Sequence, residues 1–223
     1  MNTKLKEIIK TKGKICIALD FREKDKILEF IKLLSNEVSI FKIHCDIIDN
    51  FDDDFINMLI KLKNKHNFLI WEDRKFSDIG YIVNYQVNYG VHKISQWADI
   101  ITCHSTCGSK SIPEIKNIII FLVIELSCVG NLCDSNYIEK SVEIANNNDN
   151  ILGVVCQHNP LHLNTNILKI VPGISTKSNL KDNFNQKYNN VSNRQFADIF
   201  VVGRAITNSK IPLETLKQIK NET

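Results

Sequence analysis

The sequence predicts an α/β protein built as a (β/α)8 TIM barrel. Strand-like apolar runs alternate with segments of helical period along the chain, and eight such runs fall within 223 residues. Several of the runs end in a charged or polar residue. Repeated strand–helix units imply a parallel sheet, and eight of them in a chain of this length imply closure into a small barrel. No shift in composition marks a linker, so residues 1–223 read as a single barrel domain.

Residues 3–11 carry a short amphipathic helical pattern ending near Gly13. Ile15–Asp20 is an apolar run closing on a carboxylate, followed by helical period from Glu23 to Leu34. Val38–Ile43 is the second strand, with Lys42 and His44 on one face and Phe41 and Ile43 on the other. Phe55–Leu62 is helical in period. Phe68-Leu-Ile-Trp71 then opens a third strand, too short and too rich in aromatic and branched residues for a helix, and a helix follows from Ile79 to Tyr89. Ala98–His104 with a short helix over 109–116 makes the fourth unit, and Ile118–Leu126 with a helix over 136–146 the fifth. Ile151–Gln157 is the sixth strand, and the irregular stretch through Asn166 is too short for a full helix. Ile167–Pro172 leads to Gly173, Asp198–Gly203 is the eighth strand, and Leu213–Lys220 closes the chain as a helix.

Composition narrows the function classes. Apolar residues make up 43% and charged residues 24%, which suits a water-soluble globular core. A net charge of +3 is too mild to indicate a nucleic-acid partner. Seven cysteines are an odd number without a Cys-x-x-Cys pair, so reduced thiols in a cytoplasmic protein are expected. There is no apolar leader at the N-terminus and no run of membrane-spanning length, so no membrane association is expected.

In such a barrel, chemistry sits at the C-terminal ends of the strands. The polar residues there are Asp20, Lys42, Asp73, Lys75, Asp78, His104, Ser127, Gln157 and Arg204. Asp73-x-Lys75-x-x-Asp78, directly after a buried strand, is costly to desolvate. It reads either as a surface salt-bridge cluster or as an active site. Pro172-Gly173 and Gly203-Arg204 follow the last two strands, where barrels bind phosphate through backbone N–H groups, and a guanidinium adds a planar fork. His44 and His104 are single, and no metal set stands out.

These residues resemble the orotidine 5′-phosphate decarboxylase family, its eukaryotic branch in particular. The family's signature is close to Phe-Glu-Asp-Arg-Lys-Phe-Ala-Asp-Ile-Gly, and Trp71–Gly80 reads Trp-Glu-Asp-Arg-Lys-Phe-Ser-Asp-Ile-Gly. Lys42-Ile-His-Cys-Asp46, Glu125-Leu-Ser127, Val171-Pro-Gly173, Asn185-Gln-Lys-Tyr188 and Val202-Gly-Arg204 are similar to further family motifs, in the same order. The resemblance implies decarboxylation of orotidine 5′-monophosphate to uridine 5′-monophosphate, without metal or organic cofactor, by a homodimer with shared active sites. It implies catalytic roles for Lys42, Asp73, Lys75 and Asp78, with Lys75 as proton donor to C6 of the pyrimidine. Asp78 and Ile79 would reach into the partner's site. Asp20 would hold the ribose and Ser127 the pyrimidine, while Pro172, Gln186, Tyr188, Gly203 and Arg204 complete the substrate site on its phosphate side.

Two further departures from the family pattern matter for the site. Tyr81-Ile82 follows the signature glycine where the family has Asn-Thr, removing a hydroxyl beside the ribose. Thr102-Cys-His104 stands where the family has Asn-Ala-His. Two other readings compete: a metal-dependent sugar-phosphate decarboxylase or aldolase of the same superfamily, and a non-catalytic paralogue that binds a pyrimidine nucleotide.

Overall fold

The computed structural model describes residues 2–175 and 186–223. Eight strands, β1 (Ile15–Ala18), β2 (Ile40–Ile43), β3 (Leu69–Phe76), β4 (Ile100–His104), β5 (Ile119–Val123), β6 (Ile151–Val155), β7 (Leu168–Pro172) and β8 (Ile199–Val202), form a closed barrel in sequence order. Every neighbouring pair is parallel, and β8 pairs back onto β1. The predicted (β/α)8 barrel is therefore the fold. The helices are α1 (Asn2–Lys12), α2 (Lys24–Leu34), α3 (Asp53–His66), α4 (Gly80–Asn88), α5 (Ile94–Trp97), α6 (Ser135–Asn146), α7 (Arg204–Thr207) and α8 (Pro212–Lys220).

Strand residues are buried on both faces, as a parallel sheet wrapped by helices requires. Cys16, Ala18, Ile40, Trp71, Phe121 and Val201 fill the interior. Ile17, Phe41, Ile70 and Leu122 point outward against Ile27, Ile31 and Leu34 of α2 and their counterparts on the other helices. Gly153 admits this packing: a Cβ there would stand 2.5 Å from Ile170 and 2.9 Å from Phe121. Leu5 and Ile8 of α1 join the interior cluster. Only Gly13 and Lys14 separate α1 from β1, so the helix closes the end of the barrel where the strands begin.

Several elements differ from their sequence-based expectation. The helix over 109–116 is a single 3-10 turn at Ser109–Ser111, because Pro113 holds Ile112 extended (ψ 118°). Helix α3 is longer than Phe55–Leu62: Asp52 caps it by accepting from the Phe55 N–H, and it stops at Asn67 in a left-handed conformation. The short helix α5 has too few residues to show a period. No helix lies between β6 and β7, in keeping with the short connection. Among the described residues no helix is long and apolar enough to cross a membrane.

Candidate active site

The charged half of the site grows out of β1–β4. Ala18, Lys42 and Trp71 lie side by side across β1, β2 and β3. Two residues beyond Trp71, the next inward position on β3 is Asp73, which places a carboxylate beside Lys42. Both are buried, at 6% exposure each. Lys42 Nζ lies 3.1 Å from Asp73 Oδ2 and 3.1 Å from Asp20 Oδ1. Lys75 Nζ donates to the same Asp73 Oδ2 at 2.8 Å. An ammonium, a carboxylate and a second ammonium thus alternate, with Asp20 at the outer end.

Simple strand alternation does not bring Lys75 there. Pairing with β4 passes from Glu72–Ile101 directly to Phe76–Cys103, so Asp73, Arg74 and Lys75 oppose Thr102 alone. Lys75 closes this bulge with φ 58°, a left-handed conformation that costs a side-chain-bearing residue about 1–2 kcal/mol. Strain of this sort collects where geometry serves function.

The charges hold one another. Burial alone would raise the Asp73 carboxyl, but the Lys42 and Lys75 ammonium groups hold it well below the usual carboxylate range. Burial alone would lower the Lys42 ammonium, and Asp73 and Asp20 reverse that and raise it. His44 is pushed down to about 4 by burial and by Lys42, so its ring is neutral, and its Nε2 sits 3.0 Å from Lys42 Nζ as an acceptor. Burial lifts Glu72 to about 8. Burial thus favours the protonated form of this carboxyl, which lies between β3 and the turn at Cys45–Ile47 and accepts from the Cys45 N–H at 2.9 Å.

The other half of the site comes from β5–β8. Gly173 adopts φ +79°, and a Cβ there would stand 2.6 Å from the Lys187 carbonyl, so only glycine fits without strain. The Lys187 N–H donates to Ser127 O at 2.8 Å, and the Asn189 N–H to Gly173 O at 2.8 Å. These bonds lay residues 186–189 across the ends of β5 and β7. Arg204, just past β8, donates to Gln186 Oε1 at 2.7 Å and stacks on the Tyr188 ring at 5.5 Å. Ser127, Pro172, Gln186, Tyr188, Gly203 and Arg204 share one cavity of about 330 Å³ with Asp20, Lys42, Asp73 and Lys75. Asn185, part of the same motif, lies outside the described residues.

Asp78 and Ile79 are not brought to this array. Both are exposed, Asp78 accepts from the Ile79 N–H at 2.7 Å, and Asp78 borders a separate hollow with Asp46 and Arg74. His44, Asp46 and Glu72 place three ligand-type atoms within 4.8 Å of one another. Cations already occupy that corner: Lys42 faces His44, and the Arg74 guanidinium is 3.7 Å from Asp46.

Sequence reasoning gave no role to two residues that hold the site together. Thr102 donates to Asp73 Oδ1 at 2.8 Å. Glu125 accepts from the Gln157 and His158 N–H groups at 2.8 and 3.0 Å, fixing the chain after β6. A polar residue inside the apolar run of β4 and a carboxylate just past β5 were the available signals, but partners depend on inter-strand register, which one sequence does not reveal.

Comparison with known proteins places the chain in a family. The family model described as "Orotidine 5′-phosphate decarboxylase / HUMPS family" matches residues 13–219. The chain is 33% identical over 202 residues to orotidine 5′-phosphate decarboxylase of Schizosaccharomyces pombe, covering 86% of this chain and 76% of that protein. It is 30% identical over 220 residues to uridine 5′-monophosphate synthase of Bos taurus, covering 95% of this chain but only 46% of that longer protein. The crystal structure of orotidine 5′-phosphate decarboxylase from Pyrococcus horikoshii superposes with a TM-score of 0.71 at 23% identity, covering 93% of this chain and 98% of that one, a likeness of fold. With the family model spanning nearly the whole chain, this protein belongs to the orotidine 5′-phosphate decarboxylase / HUMPS family.

Proposed function

We propose that this chain decarboxylates orotidine 5′-monophosphate to uridine 5′-monophosphate and carbon dioxide, the last step of de novo UMP synthesis, with no metal or organic cofactor. One observation carries the reading: Lys42, Asp73 and Lys75 alternate in sign at 2.8–3.1 Å and share a cavity with the Arg204 guanidinium. A nucleotide carries its anionic phosphate remote from its reacting ring, and this cavity offers a cation at each end.

The roles follow from charge. Asp73, ionised and buried, faces the departing carboxylate and disfavours the ground state. As carbon dioxide leaves, negative charge develops at C6, and the Lys75 ammonium stabilises it and then donates the proton. Lys42 keeps Asp73 ionised and, with Asp20, holds the ribose. Ser127 contacts the pyrimidine. Gln186, Tyr188, Gly203 and Arg204 take the phosphate, beside the wall formed by Pro172, and that remote binding contributes to lowering the barrier at the ring.

Asp78 completes the charged array from a second copy of the chain, with Ile79 beside it, in a homodimer with shared sites. The exposure of both side chains supports this, Ile79 being 60% exposed. The protein works in the cytoplasm, and residues 1–223 make up one barrel domain of it.

The test is an ultraviolet assay following loss of orotidine 5′-monophosphate, run with and without a chelator. Chelator-resistant turnover is expected. Turnover that vanishes with the chelator would move the chain to the metal-dependent sugar-phosphate enzymes, and nucleotide binding without turnover would make it a binding paralogue.

A further inference from the structure

We propose that Thr102 is a positioning residue that locks the rotation of the Asp73 carboxylate and is itself oriented by the Trp71 indole. The direction of each hydrogen bond follows from chemistry. An indole N–H only donates, and Trp71 Nε1 lies 2.6 Å from Thr102 Oγ1. The Thr102 oxygen must therefore accept, and its single proton is left for Asp73 Oδ1 at 2.8 Å. An ionised carboxylate only accepts, so no other assignment satisfies all three groups. Trp71 is 2%, Thr102 0% and Asp73 6% exposed, which leaves water little access to substitute for either bond.

The consequence reaches the reacting groups. With Oδ1 held by Thr102, Oδ2 is the oxygen left facing both ammonium groups, Lys42 at 3.1 Å and Lys75 at 2.8 Å. The fixed end of the relay is core packing: the Trp71 ring meets Phe121 edge to face, centroids 5.1 Å apart. Barrel interior, indole, hydroxyl, carboxylate and proton donor form one line of contacts. Positions 71 and 102 are both places where the chain differs from the family wording, tryptophan for phenylalanine and threonine for asparagine. The two differences are partners in one hydrogen bond.

The kinetic consequence rests on the decarboxylation reading, while the hydrogen bonds can be tested without it. Thr102→Val keeps the shape and removes the hydroxyl; Thr102→Ser keeps the hydroxyl and removes the methyl. Thr102→Val should lower kcat about ten- to a hundredfold, the worth of one hydrogen bond to a charged group, with KM little changed. Thr102→Ser should recover most of kcat. A merely structural role predicts the opposite order, so a serine variant as slow as the valine variant, or a valine variant at wild-type kcat, overturns the proposal. Melting temperatures supply the arm independent of turnover. Trp71→Phe should lower the melting temperature less in the Thr102→Val background than in the wild type, because the indole has already lost its acceptor. Equal losses in both backgrounds also overturn it. A wild-type protein that does not turn over orotidine 5′-monophosphate sinks the functional reading instead, and the melting comparison then decides the relay alone.

Discussion

The two halves of the barrel mouth are built by different means. Around β1–β4 Lys42 and Asp73 sit buried on strands, and with the more exposed Asp20 and Lys75 they bond to one another side chain to side chain, with both Asp73 oxygens occupied. Around β5–β8 the groups sit beyond the strand ends, partly exposed, and are placed mainly by backbone bonds such as Lys187 N–H to Ser127 O. A charge cluster taken out of water must be satisfied on every side, which calls for rigid strands and dense neighbours. The proposed phosphate grip must admit and release a ligand, which suits loops and one guanidinium. The division teaches that chemistry and affinity should be separable by mutation here.

Removing the proposed proton donor separates the two halves most clearly. Lys75→Ala should lower kcat by at least about a thousandfold, the upper range for a lost general acid, while uridine 5′-monophosphate still binds in a titration. Arg204→Ala should do the converse, raising KM about ten- to a hundredfold through the lost charge-assisted bonds, with a smaller change in kcat. Comparable losses of kcat in both variants would dissolve the division.

Glu72 sharpens the charged half through stability. Its pKa rises from about 4.3 in an unfolded chain to about 8 in the fold. Between those values the folded state holds the extra proton, so stability falls as pH rises from about 4.5 to 8. Glu72→Gln should flatten this slope, removing a loss on the order of a few kcal/mol, as read from denaturant unfolding at several pH values. Parallel curves for the two proteins would show that the buried carboxyl is not protonated. The smallest effect concerns the proposed dimer interface. Ile82→Thr should lower KM, by about tenfold at most, if a hydroxyl there regains one hydrogen bond to the ribose. An unchanged KM would take position 82 out of the site.

Much of this was legible in the sequence, and the gaps have physical causes. Strand count and closure followed from apolar runs buried on both faces. Lys42, Asp73 and Lys75 stood out because charge directly after a buried strand is costly. The bulge at Lys75 left no mark, since Asp-Arg-Lys-Phe contains no glycine, asparagine or proline to signal a left-handed residue. Thr102 was invisible as a partner of Asp73, because which residue of β4 faces β3 is a matter of register across that bulge. Gln186 and Tyr188 were reachable only through resemblance, because they lie in a loop without periodicity. The misread helix over 109–116 is a local contest in which Pro113 prevails over apolar spacing.

The most direct measurement is a crystal structure of this protein with uridine 5′-monophosphate bound. The phosphate is expected against Gly203 and Arg204, and C6 of the ring facing Lys75 Nζ at near-attack separation, about 3–3.5 Å. A phosphate bound elsewhere, or a ring whose C6 turns away from Lys75, would contradict it.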